Sequence, residues 1–390
     1  MAVAGATTGT TTSFFTPEHE ELRKSIRKFV ETELQPHARE WEEKAYFDDW
    51  VFPRMGELGY LGLSYPVEYG GQGGDYFSSI VLTEEMGRSA CGGLSMAVSV
   101  QVGMATPPIL KFGTEEQKQR YLVSAINGTK VACLGISEPN AGSDVANIRT
   151  YAKKDGDDYI INGSKIFITN GIRADFITLV AKTDPGKGFE GVTLFLVDTD
   201  TPGFIRSRKL EKVGMLAPDT AELAFQDMRV PKDAVLGEVG QSFYNIMWEL
   251  QGERLIGTAG TVAGAQLVFD QALAYAKERK TFGKPIGHHQ VIKHMLVDMA
   301  TKIEAARYYT YHVARMWDAG EYPVKEISMA KLFAGQVSCE VSDQALQIFG
   351  GAGYMMDNPV QRAWRDSRLI RIGGGTDEVM KEIIGKAYGL

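Results

Sequence analysis

The stretch Trp248-Glu-Leu-Gln-Gly-Glu-Arg-Leu-Ile-Gly-Thr-Ala-Gly-Thr-Val-Ala-Gly264 decides how the rest of the chain is read. It belongs to a weakly charged run over 235–270, and no charged residue separates Arg254 from Asp270. That composition predicts a long, mostly buried helix. Gly257, Gly260 and Gly264, spaced by three and four residues, share one helix face. Each interior glycine costs about 0.5–1 kcal/mol relative to alanine, so such a stripe implies that another backbone or a flat ligand comes close. Glu253 stands beside it. A carboxyl in low dielectric has a raised pKa and can act as a base near neutral pH. On spacing alone the simpler account is an ion pair with Arg254 or with another charge at the helix start, since perturbed carboxylates are often only structural.

Outward from this helix, the pattern changes on its N-terminal side. Over 131–240 the residues alternate in runs rich in β-branched and aromatic side chains: 131–137, 159–162, 164–169, 176–182, 192–198 and 221–230. Asp155-Gly156-Asp157, Asn162-Gly163 and Asn170-Gly171 read as turns between them. A compact, mostly antiparallel β domain is predicted. Residues 14–130 before it read as helical, beginning at Thr16-Pro17 with Thr as N-cap and Pro at the first position. The glycine-rich loop 65–75 lacks the Gly-Lys-Ser/Thr of a phosphate-binding loop and reads as structural. On the C-terminal side, helices are expected at 242–278, 287–319, 323–349 and 376–388. The organisation is α+β: a disordered tail 1–13, an N-terminal helical domain 14–130, a central β domain 131–240 and a C-terminal helical bundle 241–390.

Composition narrows the function. The 390 residues are 44% hydrophobic and 23% charged, as in ordinary globular proteins. A net charge of −7 gives no basic excess for nucleic acid. Cys91, Cys133 and Cys339 are widely spaced, with no CxxC and no zinc spacing, which implies reduced thiols in an intracellular, cytoplasmic setting. The first Lys or Arg is Arg23, so neither a secretory signal nor a mitochondrial presequence is expected. The uncharged run 89–110 contains Gln, Ser and a Pro-Pro pair and reads as buried helix and turn rather than a membrane span. No metal site is expected.

No GxGxxG joins a strand to a helix, and neither a serine nucleophile elbow nor HExxH is present. What remains are polar, glycine-rich stretches at element ends: 134–144 with Glu138-Pro-Asn-Ala-Gly-Ser-Asp144, Phe167-Ile-Thr-Asn170, Arg279-Lys-Thr-Phe-Gly-Lys-Pro285 with Gln290, Gln347-Ile-Phe-Gly-Gly-Ala-Gly-Tyr354, and Gly373-Gly-Gly-Thr-Asp-Glu378. Together they supply backbone N–H donors, hydroxyls, an arginine and aromatic rings, enough to hold a large, flat, phosphate-bearing cofactor. In order and wording these stretches resemble the acyl-CoA dehydrogenase family, over residues 14–390.

The resemblance implies FAD between the β domain and a C-terminal four-helix bundle, in a homotetramer or homodimer. It assigns Leu134, Ile136, Ser137 and Ser143 to the first flavin-binding strand and loop, with Ser143 also touching the CoA thioester. Phe167 and Thr169 match the pair beside the isoalloxazine ring. Arg279, Phe282, Gln290, Gln347, Gly350 and Gly351 match residues that grip the ADP half of FAD, often across a subunit boundary. Thr376 and Glu378 match the last cofactor contacts. Gln251 and Arg254 match substrate-binding positions, although Arg254 serves equally as a structural ion-pair partner.

One departure matters. Many family members carry the catalytic Glu immediately before Gly-Thr, where this chain has Gly374 before Gly375-Thr376. The long-chain and isovaleryl-type branch instead places its base in a Glu-Arg-Leu context on the first bundle helix, here Glu253-Arg254-Leu255. A vacated position and a filled one support each other. The resemblance therefore implies FAD-dependent α,β-dehydrogenation of a fatty acyl-CoA, probable chain length medium to long, as in fatty acid β-oxidation. Glu253 would be the base, and the Gly374 N–H with a flavin ribityl hydroxyl would bind the thioester oxygen. The acyl pocket wall is expected at 96–102 and 243–250, and an electron-transfer flavoprotein is the implied acceptor. A flavin monooxygenase or oxidase on the same fold, or an inactive FAD-bound scaffold, are the competing readings.

Overall fold

The structure, a computed structural model, describes residues 14–390. The tail expected at 1–13 lies outside the described residues. The first helix, Pro17–Phe29, opens on a capping box: the Thr16 hydroxyl accepts the His19 N–H at 3.3 Å, and His19 Nδ1 accepts the Thr16 N–H at 3.0 Å. Two donors that a helix start leaves bare are thereby satisfied. Helix Tyr76–Gly87 packs on it through Arg23–Glu84 at 2.7 Å and Arg27–Glu85 at 2.8 Å. Between them, the glycine-rich loop binds itself, the N–H groups of Gln72, Gly73 and Gly74 donating to the carbonyls of Gly62, Tyr65 and Leu63. Those amides are spent on the chain's own backbone.

The helical segment Gly92–Phe112 is long and apolar enough to cross a membrane. Here it is core: Leu94, Ala97 and Val98 are buried, and Gln101 bonds the carbonyls of Ala125 and Lys130 and the Ala132 N–H.

The central domain holds β1 (Ala132–Gly135), β2 (Tyr151–Asp155), β3 (Asp158–Thr169), β4 (Phe176–Lys182), β5 (Val192–Asp198), β6 (Phe204–Lys209), β7 (Thr220–Val230) and β8 (Val235–Leu236). The sheet order is β6-β7-β3-β2-β4-β5-β8, with β1 also on β4. Pairing is antiparallel except for β1 and β2 against β4. The turn expected at Asn162-Gly163 is absent. β3 runs straight through it with a register shift, and Gly163, at φ 149°, lies so near Thr150 that a Cβ would approach its Cα to 2.6 Å. The glycine serves a bulge and a close strand contact rather than a reversal. A second shift between Lys165 and Ile168 flanks Phe167, whose φ is 64°. This bulge leaves the Phe167 ring 68% exposed.

The C-terminal bundle comprises Ser242–Glu278, Gln290–Asp318, Val324–Phe349 and Asp377–Ala387. Its core includes Val262, Val268, Met299, Ile303, Val337 and Val341. The second helix starts later than expected because Ile286–His288 form a 3₁₀ turn. A further short helix, Pro359–Ser367, was not anticipated. The whole is an N-terminal helical domain, a middle β domain and a C-terminal helical domain.

Candidate active site

Glu253 lies on the first bundle helix, half-buried, and no hydrogen bond or ion pair ties its carboxylate to any described residue. Arg254 does not pair with it. Its Nε donates instead to the Gly374 carbonyl at 2.7 Å, joining the helix to the C-terminal loop. Gly374 has φ 65°, a left-handed conformation that favours glycine. A Cβ placed there would stand 3.3 Å from Glu253 Oε1. The carboxylate thus faces the space that a side chain at 374 would claim. The Gly374 N–H donates to nothing among the described residues, so it is free for a ligand. One residue on, the Gly375 carbonyl accepts from the buried ammonium of Lys331 on the third bundle helix. Arg371 Nε holds Asp377 Oδ2 at 2.7 Å just beyond.

Burial pushes the Glu253 carboxyl above its ordinary range, while Arg254 and Lys331 pull the other way. Glu249, one turn earlier, was missed in the sequence. It is 3% exposed, and neither carboxyl oxygen has a hydrogen-bond partner among the described residues. Burial first and then the charge of Glu253 raise it well above its ordinary value, against Arg254. The signal was available: a second carboxylate four residues before Glu253 shares its helix face. Gln251 is also buried, donating to the Met247 carbonyl at 3.3 Å with its side-chain oxygen unpartnered.

The expected cofactor residues fall into three groups. At the β domain, Leu134 lies in β1 and Ile136 and Ser137 follow it; the Ile166 N–H donates to the Ser137 carbonyl at 3.0 Å, bringing Phe167 and Thr169 alongside. Ser143 is exposed on the loop that follows Ser137. Glu138 anchors that loop from inside, accepting from Lys165 Nζ at 2.8 Å and from the Arg149 and Thr150 N–H groups at 2.5 and 2.9 Å. Burial alone would raise the Glu138 carboxyl, but Lys165 and these donors hold it below its ordinary range. The second group, Arg279, Phe282, Gln290, Gln347, Gly350 and Gly351, is exposed at bundle helix ends, with Phe282 at 95%. No hydrogen bond or ion pair among the described residues joins it to the β-domain group. In the third, Thr376 caps the last helix by accepting the Val379 N–H at 3.2 Å, and Glu378 is exposed in its first turn.

A cavity of about 170 Å³ runs along the glycine stripe. Gly257, one turn beyond Glu253, lines it with Gly260 and Gly264, and Ser95, Met96 and Ser99 face them. The stripe does admit a backbone: a Cβ on Gly87 would lie 3.8 Å from Gly264 N and 3.9 Å from Gly260 O. Residues 243–250, expected in the acyl wall, do not line this cavity. Phe243, Met247 and Leu250 pack into the core beside Leu236 and Ile246, and Trp248 stacks on Trp317. A period-3.6 apolar stripe reports burial but not which neighbour it meets.

A carboxylate without a hydrogen-bond partner among the described residues, beside a free backbone donor and close to an apolar cavity, with an exposed ring on a β bulge elsewhere in the chain, fits a flavin-type oxidoreductase. Comparison with known proteins makes this specific. Family models for the acyl-CoA dehydrogenase N-terminal, middle and C-terminal domains match residues 16–129, 133–228 and 240–389. The mitochondrial long-chain specific acyl-CoA dehydrogenase of Sus scrofa is 38% identical over 95% of this chain and 86% of its own. The short-chain specific acyl-CoA dehydrogenase of Clostridium acetobutylicum is 40% identical over 96% and 98%. The crystal structure of acyl-CoA dehydrogenase from Geobacillus kaustophilus superimposes with a TM-score of 0.94 at 40% identity, covering 96% and 99%. The chain belongs to the acyl-CoA dehydrogenase family, FAD-dependent oxidoreductases acting on CH–CH groups. The residues present fit FAD: Phe167 offers a bare ring beside the Ser137 and Thr169 hydroxyls, and the ground in front of Gly350 and Gly351 is open.

Proposed function

We propose that the chain removes two hydrogens from Cα and Cβ of a medium- to long-chain acyl-CoA, giving the trans-2-enoyl-CoA, with Glu253 as the base. The observation that supports this most is the 3.3 Å approach between Glu253 Oε1 and the missing side chain of Gly374. The carboxylate is aimed at the loop whose free N–H can hold the thioester oxygen.

Glu253 takes the α proton on its carboxylate as the Cα–Cβ double bond forms. Bound FAD supplies the hydride acceptor for the hydrogen leaving Cβ. Negative charge building on the thioester oxygen is met by the Gly374 N–H, a preorganised donor in a half-buried site where such a contact counts for more than in water. Ser143, Gln251 and Arg254 would position the thioester, Arg254 indirectly through its bond to the Gly374 carbonyl. Leu134, Ile136, Ser137, Phe167 and Thr169 would hold the flavin ring. Arg279, Phe282, Gln290, Gln347, Gly350 and Gly351 would hold its ADP half, with Thr376 and Glu378 as the last contacts.

Chain length rests on the cavity, because relatives named for long and short chains are equally similar. The small residues Ser95, Ser99, Gly257, Gly260 and Gly264 leave room for an extended tail. A homotetramer or homodimer, a place in fatty acid β-oxidation and electron transfer to an electron-transfer flavoprotein complete the reading.

The test is anaerobic bleaching of the bound flavin by saturated acyl-CoAs from butyryl to palmitoyl. Wild type should bleach fastest with medium or long chains, and Glu253→Gln should slow bleaching by the ~10²–10⁴-fold typical of a lost general base. Equal rates for the two proteins would place the base elsewhere. Failure of every acyl-CoA to bleach the wild type would end the dehydrogenase reading.

A further inference from the structure

The C-terminal loop hangs from two cations on different helices. Arg254 reaches it from the first bundle helix, binding the Gly374 carbonyl, and Lys331 from the third, binding the Gly375 carbonyl. Two consecutive peptide units are therefore pinned by their oxygens, and the Gly374 N–H is left without an intramolecular acceptor. Such pinning is unusual for Gly373-Gly-Gly375, a run with the greatest backbone freedom available. Lys331 is 1% exposed, and a buried ammonium carries a desolvation cost that a purely structural contact would rarely justify.

We propose that Lys331 is a positioning residue: by clamping the Gly375 carbonyl, while Arg254 holds the Gly374 carbonyl of the peptide unit before it, it restricts the loop so that the Gly374 N–H, one unit further back, stays directed toward the thioester oxygen. This rests on the reading of Glu253 as base and Gly374 as oxyanion donor. The charged groups facing the ammonium are Asp377 on the last helix, Arg254 and Glu253 on the first, and Arg371 ahead of the loop. Burial brings Lys331 down to about 8, with Asp377 and Glu253 opposing and Arg254 and Arg371 adding to the fall. As pH rises through that value the clamp changes from a charge-assisted donor to a weaker neutral amine. Loss of a nearby positive charge also makes Glu253 more basic, which by itself would speed proton removal. A decline in rate on that side of the profile consequently reports the loop, not the base.

The experiment uses full-length holoenzyme, with lauroyl-CoA as reductant and 3-thialauroyl-CoA as probe. The probe loses its α proton without passing on a hydride, so its enolate accumulates and is seen by its long-wavelength absorbance with the flavin. Lys331→Met should retain FAD, bleach roughly 10–10²-fold more slowly and accumulate less enolate, the size expected for a displaced oxyanion donor. Wild type should slow above about pH 8, whereas Lys331→Arg, whose guanidinium does not titrate, should hold its rate well beyond. Lys331→Met within threefold of wild type with a superimposable pH profile would overturn the proposal. So would the same alkaline decline in Lys331→Arg, and that arm decides alone where the Met variant fails to fold. Glu253→Gln is run in parallel. If it bleaches like wild type, the assignment of the base has failed; if it is dead while Lys331→Arg declines like wild type, only the clamp has failed.

Discussion

In its proposed role of base, half-buried Glu253 works against its own ionisation. Only the carboxylate form of Glu253 can take a proton, yet burial raises its pKa above the ordinary value, with Arg254 and Lys331 limiting the rise. The rate of flavin reduction should therefore fall as pH drops through a value above that of a free glutamate. The same shift has a stability consequence of fixed sign. A carboxyl whose folded pKa is raised stabilises the fold at low pH, and that contribution is lost as pH rises through the folded value. Glu249 shifts in the same direction and adds to the loss. Glu253→Gln has no charge to bury. Its Tm should match wild type near pH 4 and exceed it at pH 8, while its activity relative to wild type should be lowest where its stability advantage is greatest. Calorimetry across that range checks it, and a constant Tm difference would show that Glu253 is ionised without penalty. Activity and stability trade against each other at this one residue.

Among the elements, the first bundle helix was legible to its ends, because a long, weakly charged run between Gly240 and Arg279 admits few alternatives. Strands β4 and β5 were equally plain, being mostly apolar and almost wholly buried. β2 and β6 were not: Lys153-Lys154-Asp155 and Arg206-Ser-Arg-Lys209 place charge where an alternating pattern would show apolar residues, since these segments are largely exposed. Asn162-Gly163 misled because turn chemistry and bulge chemistry use the same residues. At the site, motif order singled out Glu253 and Gly374, which the structure sets side by side, but nothing local could report that a lysine 44 positions before Gly375 would reach its carbonyl. The glycine stripe was legible as a surface, and the structure adds that Gly264 faces open space. Filling it is the element-scale test. Gly264→Leu places about four carbons in the cavity, each displaced methylene of substrate costing about 0.8 kcal/mol. The kcat/KM for palmitoyl-CoA should fall roughly 10²-fold, and butyryl-CoA should change less than threefold. An unaltered chain-length profile would mean that the acyl tail lies elsewhere.

At the scale of the whole molecule, the group proposed to hold the ADP half of FAD stands exposed. Phe282 projects from the 279–285 hairpin at 95% exposure and φ 51°, a costly arrangement for an aromatic residue, its ring meeting His289 edge-on. Val291, Val297, Tyr354, Met355 and Met356 are also exposed in the C-terminal domain. Bare apolar side chains in such numbers mark a surface that a partner covers. In the proposed homotetramer or homodimer, this group, which has no hydrogen bond or ion pair to the β-domain residues among the described residues, would serve the flavin of a second copy. Assembly and cofactor retention would then be one equilibrium, because a ligand bound across two subunits stabilises their union. Phe282→Asp should shift sedimentation toward a smaller species and weaken FAD retention by at least about tenfold, since a charge buried at an interface without a partner costs several kcal/mol. Added FAD should partly restore the larger species. A variant that keeps FAD at wild-type affinity while sedimenting as a monomer would show that each chain holds its cofactor alone, and the hairpin would then need another explanation.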